Sequence, residues 1–196
     1  MAGGTKKAMT TLLEQAVGEG WTVGAPQQLK NVQMCPIQHK GRQALIQLLP
    51  RGNMAIKVPF APSVYRGTGQ ETRLNVTFDT PASVIAQMQQ AEDAIVEKAR
   101  EILPNLDALW CSCIKPTPYG PQLRCKVNTE GPHKIQLISE TGEALTVEDL
   151  NRRPVLPILA IRGIYVQRNQ VGLMVDVVAC ILGEKPKYEV PPIDFL

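Results

Sequence analysis

The sequence predicts a mainly β protein with one long helix, of the α+β class. Three observations predict it. Two apolar, β-branched runs, Val155–Gln167 and Val171–Leu182, flank the short polar loop Arg168-Asn169-Gln170, the pattern of a long antiparallel hairpin. Sixteen prolines and fifteen glycines punctuate 196 residues, which favours short strands and many turns over a helical bundle. Only residues 80–104 sustain apolar spacing of three and four, so one long helix is expected.

The hairpin is the organising stretch. Its first run carries Pro157 and Gly163, and both runs are too β-branched for a comfortable helix. A membrane-spanning helix is excluded because Arg162, Arg168 and Asp176 leave no uncharged run of the length needed. Alternation places Val171, Leu173, Val175, Val177, Ala179 and Ile181 on one face of the second run. Met174, Asp176, Val178 and Cys180 fall on the other, partly wet face.

The chain in order gives the remaining elements. Residues 1–30 read as an N-terminal helix and linker, with Met9, Leu12, Leu13, Ala16 and Val17 at helical spacing before Gly18 and Gly20. Trp21 to Met34 reads as a polar connection. Gln43–Leu49 and Met54–Phe60 read as strands joined by the turn Pro50-Arg51-Gly52-Asn53. Arg66-Gly67-Thr68-Gly69 lacks the Gly-Lys-Ser/Thr of a phosphate loop and reads as a hairpin loop before a strand at Thr72–Phe78. Thr80 is the expected N-cap of the long helix, Pro81 its first position and Pro104 its stop. Val84, Ile85, Met88, Ala91, Ile95, Val96, Ala99, Ile102 and Leu103 form its apolar stripe, opposite a solvated acidic face. Leu109–Ile114, Gln122–Val127 and Lys134–Ser139 follow as strands, with a rigid loop at 115–121. Residues 184–196 carry three prolines and read as an extended tail.

Composition narrows the function. Between Lys30 and Arg73 there are seven basic residues against one acid, while Asp79 to Glu101 holds five acids against two bases. Segregation of this kind makes a basic face. Five cysteines, an odd number, sit without a secretory leader pattern, which implies reduced thiols and an intracellular setting, nucleus or cytoplasm. Cys111-Ser112-Cys113 has the wrong spacing for a zinc knuckle, so no metal or cofactor is expected. His39 and His133 both read as solvated, and no nucleophile elbow or dinucleotide fingerprint is present. A non-catalytic protein follows.

Cations interleaved with aromatics fit single-stranded nucleic acid, phosphates meeting Lys and Arg and unpaired bases stacking on rings. The candidates are Lys57, Tyr65, Arg66 and Arg73 in the first half, then Trp110, Lys115, Tyr119, Arg124 and Lys126 around the Pro-rich loop. Read as packing residues instead, Phe60 and Trp110 belong to the core. Three strands, a helix and further strands is the element order of an OB-fold, a small Greek-key barrel, here with extra strands and the long C-terminal hairpin. Residues 31–183 would form this domain. A structural assembly or coat protein, using the hairpin and tail for subunit contacts, is the alternative; a cysteine-dependent enzyme is a third reading.

The stretch Pro154–Gly183, with Ile161, Gly163, Ile164 and Tyr165 before the turn and Gly172 and Leu173 after it, resembles the C-terminal hairpin of OB-fold single-stranded-DNA-binding proteins of large DNA viruses and phages. Upstream, TPYGPQLRCKVN and KIQLISETGE are similar to the preceding strand pair, so the resemblance covers residues 115–183. It implies sequence-independent binding of single-stranded DNA during replication or recombination, with RNA not distinguished. Such proteins often end in a strongly acidic segment with a terminal aromatic. Here Asp194 and Phe195 are kept, but Lys185 and Lys187 offset Glu184 and Glu189. The apolar end, Ile193, Phe195 and Leu196, is expected to dock on a neighbouring subunit of a homo-oligomer or on a replication protein, with a disordered end as the alternative. No membrane partner is expected.

Overall fold

The computed structural model describes residues 10–29, 32–50, 54–64, 72–104 and 106–184. The principal strands are β1 (Val32–His39), β2 (Arg42–Gln47), β3 (Arg73–Phe78), β4 (Gln122–Asn128), β5 (Gln136–Ser139), β6 (Pro154–Gln167) and β7 (Gln170–Leu182); the long helix α1 is Ala82–Arg100. The architecture is α+β and OB-like, with most strands joined in one sheet.

The β6–β7 hairpin is the spine. Its strands pair antiparallel from Val155↔Leu182 to Gln167↔Gln170. On one side β6 carries β2 and β1 end to end, through Ile158↔Gln47 to Ile161↔Ala44 and Gly163↔Pro36 to Val166↔Gln33. On the other, β7 pairs parallel with β4 at Lys126↔Asp176 and with β5 from Gln136↔Ala179. β4 pairs antiparallel with β3. A short strand, Ile56–Lys57, closes the ring. Lys57 bridges Asp79 at the end of β3, and the same strand pairs with Pro154 and Val155 of β6. Lys57 N donates to Asp79 O at 2.9 Å and Asp79 N to Lys57 O at 2.8 Å. Ile56, Val76, Phe78, Leu123, Val127, Leu159 and Ile161 fill the interior.

The hairpin's expected alternation holds through Val177 and then inverts. Cys180 and Leu182 are buried, whereas Ala179 and Ile181 are half-buried. The pairing skips Val178, since Ile158 faces Ala179 and Leu159 faces Val177. A bulge residue shifts the phase of every side chain beyond it. A second bulge leaves Arg162 unpaired between Ile161↔Val175 and Gly163↔Met174.

Other expectations are corrected. Trp21 to Met34 is not a connection: it holds strands Trp21–Val23 and Gln27–Leu29, both paired with β1. Trp21 is buried, its Nε1 donating to Ala16 O at 2.8 Å. Among the described N-terminal residues the helix is a single turn, Leu13–Ala16. The β1–β2 turn, Lys40-Gly41, has φ of 51° and 71°, the left-handed pair that a two-residue hairpin needs. His39 is buried rather than solvated, 4.7 Å from the Trp21 ring, and desolvation lowers its pKa. Met54–Phe60 contributes only Ile56–Lys57 and pairs with β6 instead of the strand before it. The N-cap of α1 is Pro81, and Thr80 Oγ1 donates to Phe78 O at 3.2 Å. The acidic face of α1 is not wholly solvated, because Glu92 is 1% exposed. All five cysteines are free. No helix among the described residues is long and apolar enough to cross a membrane.

Candidate nucleic-acid interface

Strand alternation builds the candidate site. In β3 and β4 the residues Val76, Phe78, Leu123, Cys125 and Val127 point inward, so Arg73, Asn75 and Thr77 and their cross-strand partners Asn128, Lys126 and Arg124 share the outer face. Asp176 of β7 lies beside Lys126 in register. The Arg162 bulge lets its guanidinium reach this group from β6, its Nε donating to Asp176 Oδ2 at 3.2 Å. Arg73 Nη2 donates to Asp176 Oδ1 at 2.9 Å. One carboxylate, 3% exposed, thus holds two guanidinia, which compensates its burial. Lys57 is exposed on the strand that closes the same wall.

Lys126 is half-buried and donates through Nζ to Asn75 Oδ1. Burial, then the nearby charges of Arg73 and Arg124, lower its pKa to about 8, with Asp176 opposing. Arg124 is exposed. Arg73 of β3, Lys126 of β4 and Arg162 of the β6 bulge therefore gather around one carboxylate, with Arg124 on the same outer face, an arrangement able to hold anionic oxygens.

Aromatics stand at the margin. Tyr119 is 87% exposed at the tip of the loop between Ile114–Lys115 and β4, where Thr117 and Gly120 exchange backbone hydrogen bonds. Gly120 takes φ of 105° there. Phe60 is 63% exposed, on the segment between Lys57, which bridges Asp79, and Ser63–Val64, which pairs with β3. It is not a core residue.

The predicted residues divide by place. Lys57, Arg73, Arg124 and Lys126 share the outer wall, Lys57 at the Asp79 end and Arg73 at the other. Trp110 packs against the core, and its Nε1 donates to Glu92 Oε1 at 2.7 Å. Lys115 Nζ lies 2.7 Å from Cys111 Sγ, apart from the cationic wall in the hydrogen-bond network. Tyr65, Arg66 and the 185–196 portion of the tail lie outside the described residues. Sequence reasoning missed Asn75, Asp176 and Arg162, and left Phe60 open between a ring interleaved with the cations and a core residue. Asn75 was signalled by its two-residue spacing from Arg73; Arg162 had no such signal, because a bulge leaves none. The described residues hold no group of three or more side chains able to bind a metal.

No family model matches the chain, and no curated protein does. Solved structures give a likeness. The single-stranded DNA-binding protein from bacteriophage Enc34 aligns at TM-score 0.46 and 11% identity, over 88% of this chain and 96% of that one. The same phage protein in complex with ssDNA aligns at 0.45 and 11%, over 82% and 94%. The bacteriophage T7 single-stranded DNA-binding protein gp2.5 aligns at 0.32 and 13%, over 74% and 86%. These proteins are of the kind that residues 115–183 resemble.

Proposed function

We propose that the chain binds single-stranded DNA without sequence preference and without catalysis, on the outer wall of β3 and β4. The observation that carries this is the gathering of Arg73, Lys126 and Arg162 around Asp176, with Arg124 on the same face and Tyr119 and Phe60 exposed on the segments that lead to β4 and β3. Fixed cations track phosphates, and exposed rings accept bases of any identity. Residues 31–183 serve as the binding domain, and the role is to protect single strands in replication or recombination.

Fluorescence anisotropy with labelled oligo(dT) and a matched duplex, over a salt series, tests it. Single strands should bind more tightly than duplex, and affinity should fall steeply with salt. Arg124→Glu should weaken binding and flatten the salt slope by about one unit, whereas Lys98→Glu on α1 should do little. Equal binding to duplex, or equal effects of the two substitutions, overturns the proposal.

A further inference from the structure

An anion sits at the centre of a surface proposed to bind anions. Asp176 pairs in register with Lys126 of β4 on one side and with Ala160 of β6 on the other. Its side chain is 5% exposed, whereas those of Arg73 and Arg162 keep 37% and 18%. The guanidinia therefore lie over the carboxylate, and a ligand at this wall meets them first.

Each guanidinium uses one nitrogen on the carboxylate. Nη2 of Arg73 reaches Oδ1 at 2.9 Å and Nε of Arg162 reaches Oδ2 at 3.2 Å. A guanidinium has five N–H donors, so each keeps donors for a ligand. Arg162 arrives from β6 as the unpaired residue of the bulge between Ile161↔Val175 and Gly163↔Met174, and a bulge re-aims a side chain. Arg73 arrives from the opposite side, from β3 across β4. The two oxygens of one carboxylate thus hold two guanidinia close enough together to meet the oxygens of one phosphodiester. Lys126 stands beside them, and the Asp176 charge works to raise its pKa against burial and the neighbouring arginines.

We propose that Asp176 is a positioning residue, an anion that strengthens anion binding by setting Arg73 and Arg162 as two arms of a clamp on one backbone phosphate of single-stranded DNA. The inference rests on the reading of this wall as the single-strand interface. Net charge and geometry predict opposite outcomes here. A neutral group in place of the carboxylate adds one positive charge to the wall, which by charge alone tightens binding and steepens its salt dependence. The clamp predicts the reverse. Guanidinia released from the carboxylate must be ordered again on binding, at a cost for each side chain, and a lost phosphate contact flattens the salt slope.

The test uses the full chain carrying Asp176→Asn, titrated by anisotropy with labelled oligo(dT) over a salt series. The pH is held at about 6, where Lys126, with its pKa of about 8, keeps its charge. Urea unfolding establishes that the variant is folded under these conditions. Binding should weaken about fivefold or more, and the salt slope should flatten by up to about one unit. Unchanged or tighter binding overturns the proposal. Asp176→Glu keeps the charge but moves the carboxylate by one methylene, and it decides the matter if Asp176→Asn does not fold. It too should weaken binding; wild-type affinity overturns the proposal. Arg124→Glu, titrated alongside, separates this inference from the one it rests on. If Arg124→Glu binds as the wild type does, the interface is misplaced and the clamp falls with it. If Arg124→Glu weakens binding while Asp176→Asn does not, the interface stands and the clamp alone is overturned.

Discussion

Arg73 and Asp176 are 103 residues apart in the chain, yet Nη2 of one and Oδ1 of the other meet at 2.9 Å. β4 brings them together, pairing with β3 on one side and β7 on the other. Arg162 closes on the second oxygen of the same carboxylate at 3.2 Å. Arg73 and Arg162 are therefore fixed before any ligand arrives, and fixed donors lose less freedom on binding.

Asp176→Ala should destabilise the fold by roughly 3 kcal/mol, because it leaves two guanidinia without their acceptor at a buried point. Urea unfolding measures this. A change below about 0.5 kcal/mol would mean that water replaces the carboxylate without loss.

The aromatic residues should separate by readout. Tyr119→Ala and Phe60→Ala should each cost about 1–3 kcal/mol of single-strand affinity and leave stability unchanged. Trp110→Ala should instead lower stability by about 3 kcal/mol or more, losing core packing and a donor to Glu92. Anisotropy and thermal unfolding on the same three variants check the split.

Lys126 sets a pH dependence. Its native pKa of about 8 is below the ordinary lysine value. The unfolded chain therefore holds more protons between about pH 8 and 10.4, so this residue's contribution to stability rises with pH across that window. DNA affinity should move the other way, falling as pH rises from 7 to 9 and the ammonium is lost. Lys126→Arg should flatten that fall, since a guanidinium stays charged. Titration of oligo(dT) at several pH values decides it.

Gly163→Ala should destabilise by about 1–3 kcal/mol. A Cβ at this position would lie 2.5 Å from Cys35 O and 3.0 Å from Met34 Cγ on β1, so β1 could not keep its register on β6. Denaturant unfolding tests this; a neutral substitution would show that β1 is free to shift.

Local pattern determined a good part of this protein. Val155–Leu182 forms a hairpin because two β-branched runs across a two-residue turn have few alternatives, and α1 follows from its three- and four-residue spacing. The basic character of β3 and β4 was legible because Arg73, Arg124 and Lys126 fall on strands with apolar neighbours. β1 was not legible, since Pro36 interrupts the Val32–His39 run, and its place on β6 comes from long-range pairing. Tertiary structure alone decided which cations meet. The bulges at Arg162 and Val178 come from register, not composition, and a one-residue shift exchanges the faces of a strand. It also decided the fate of Trp110, Lys115 and Phe60. An aromatic or a lysine looks the same in sequence whether a buried carboxylate, a thiol or solvent waits for it. Only the packing of distant strands supplies that partner.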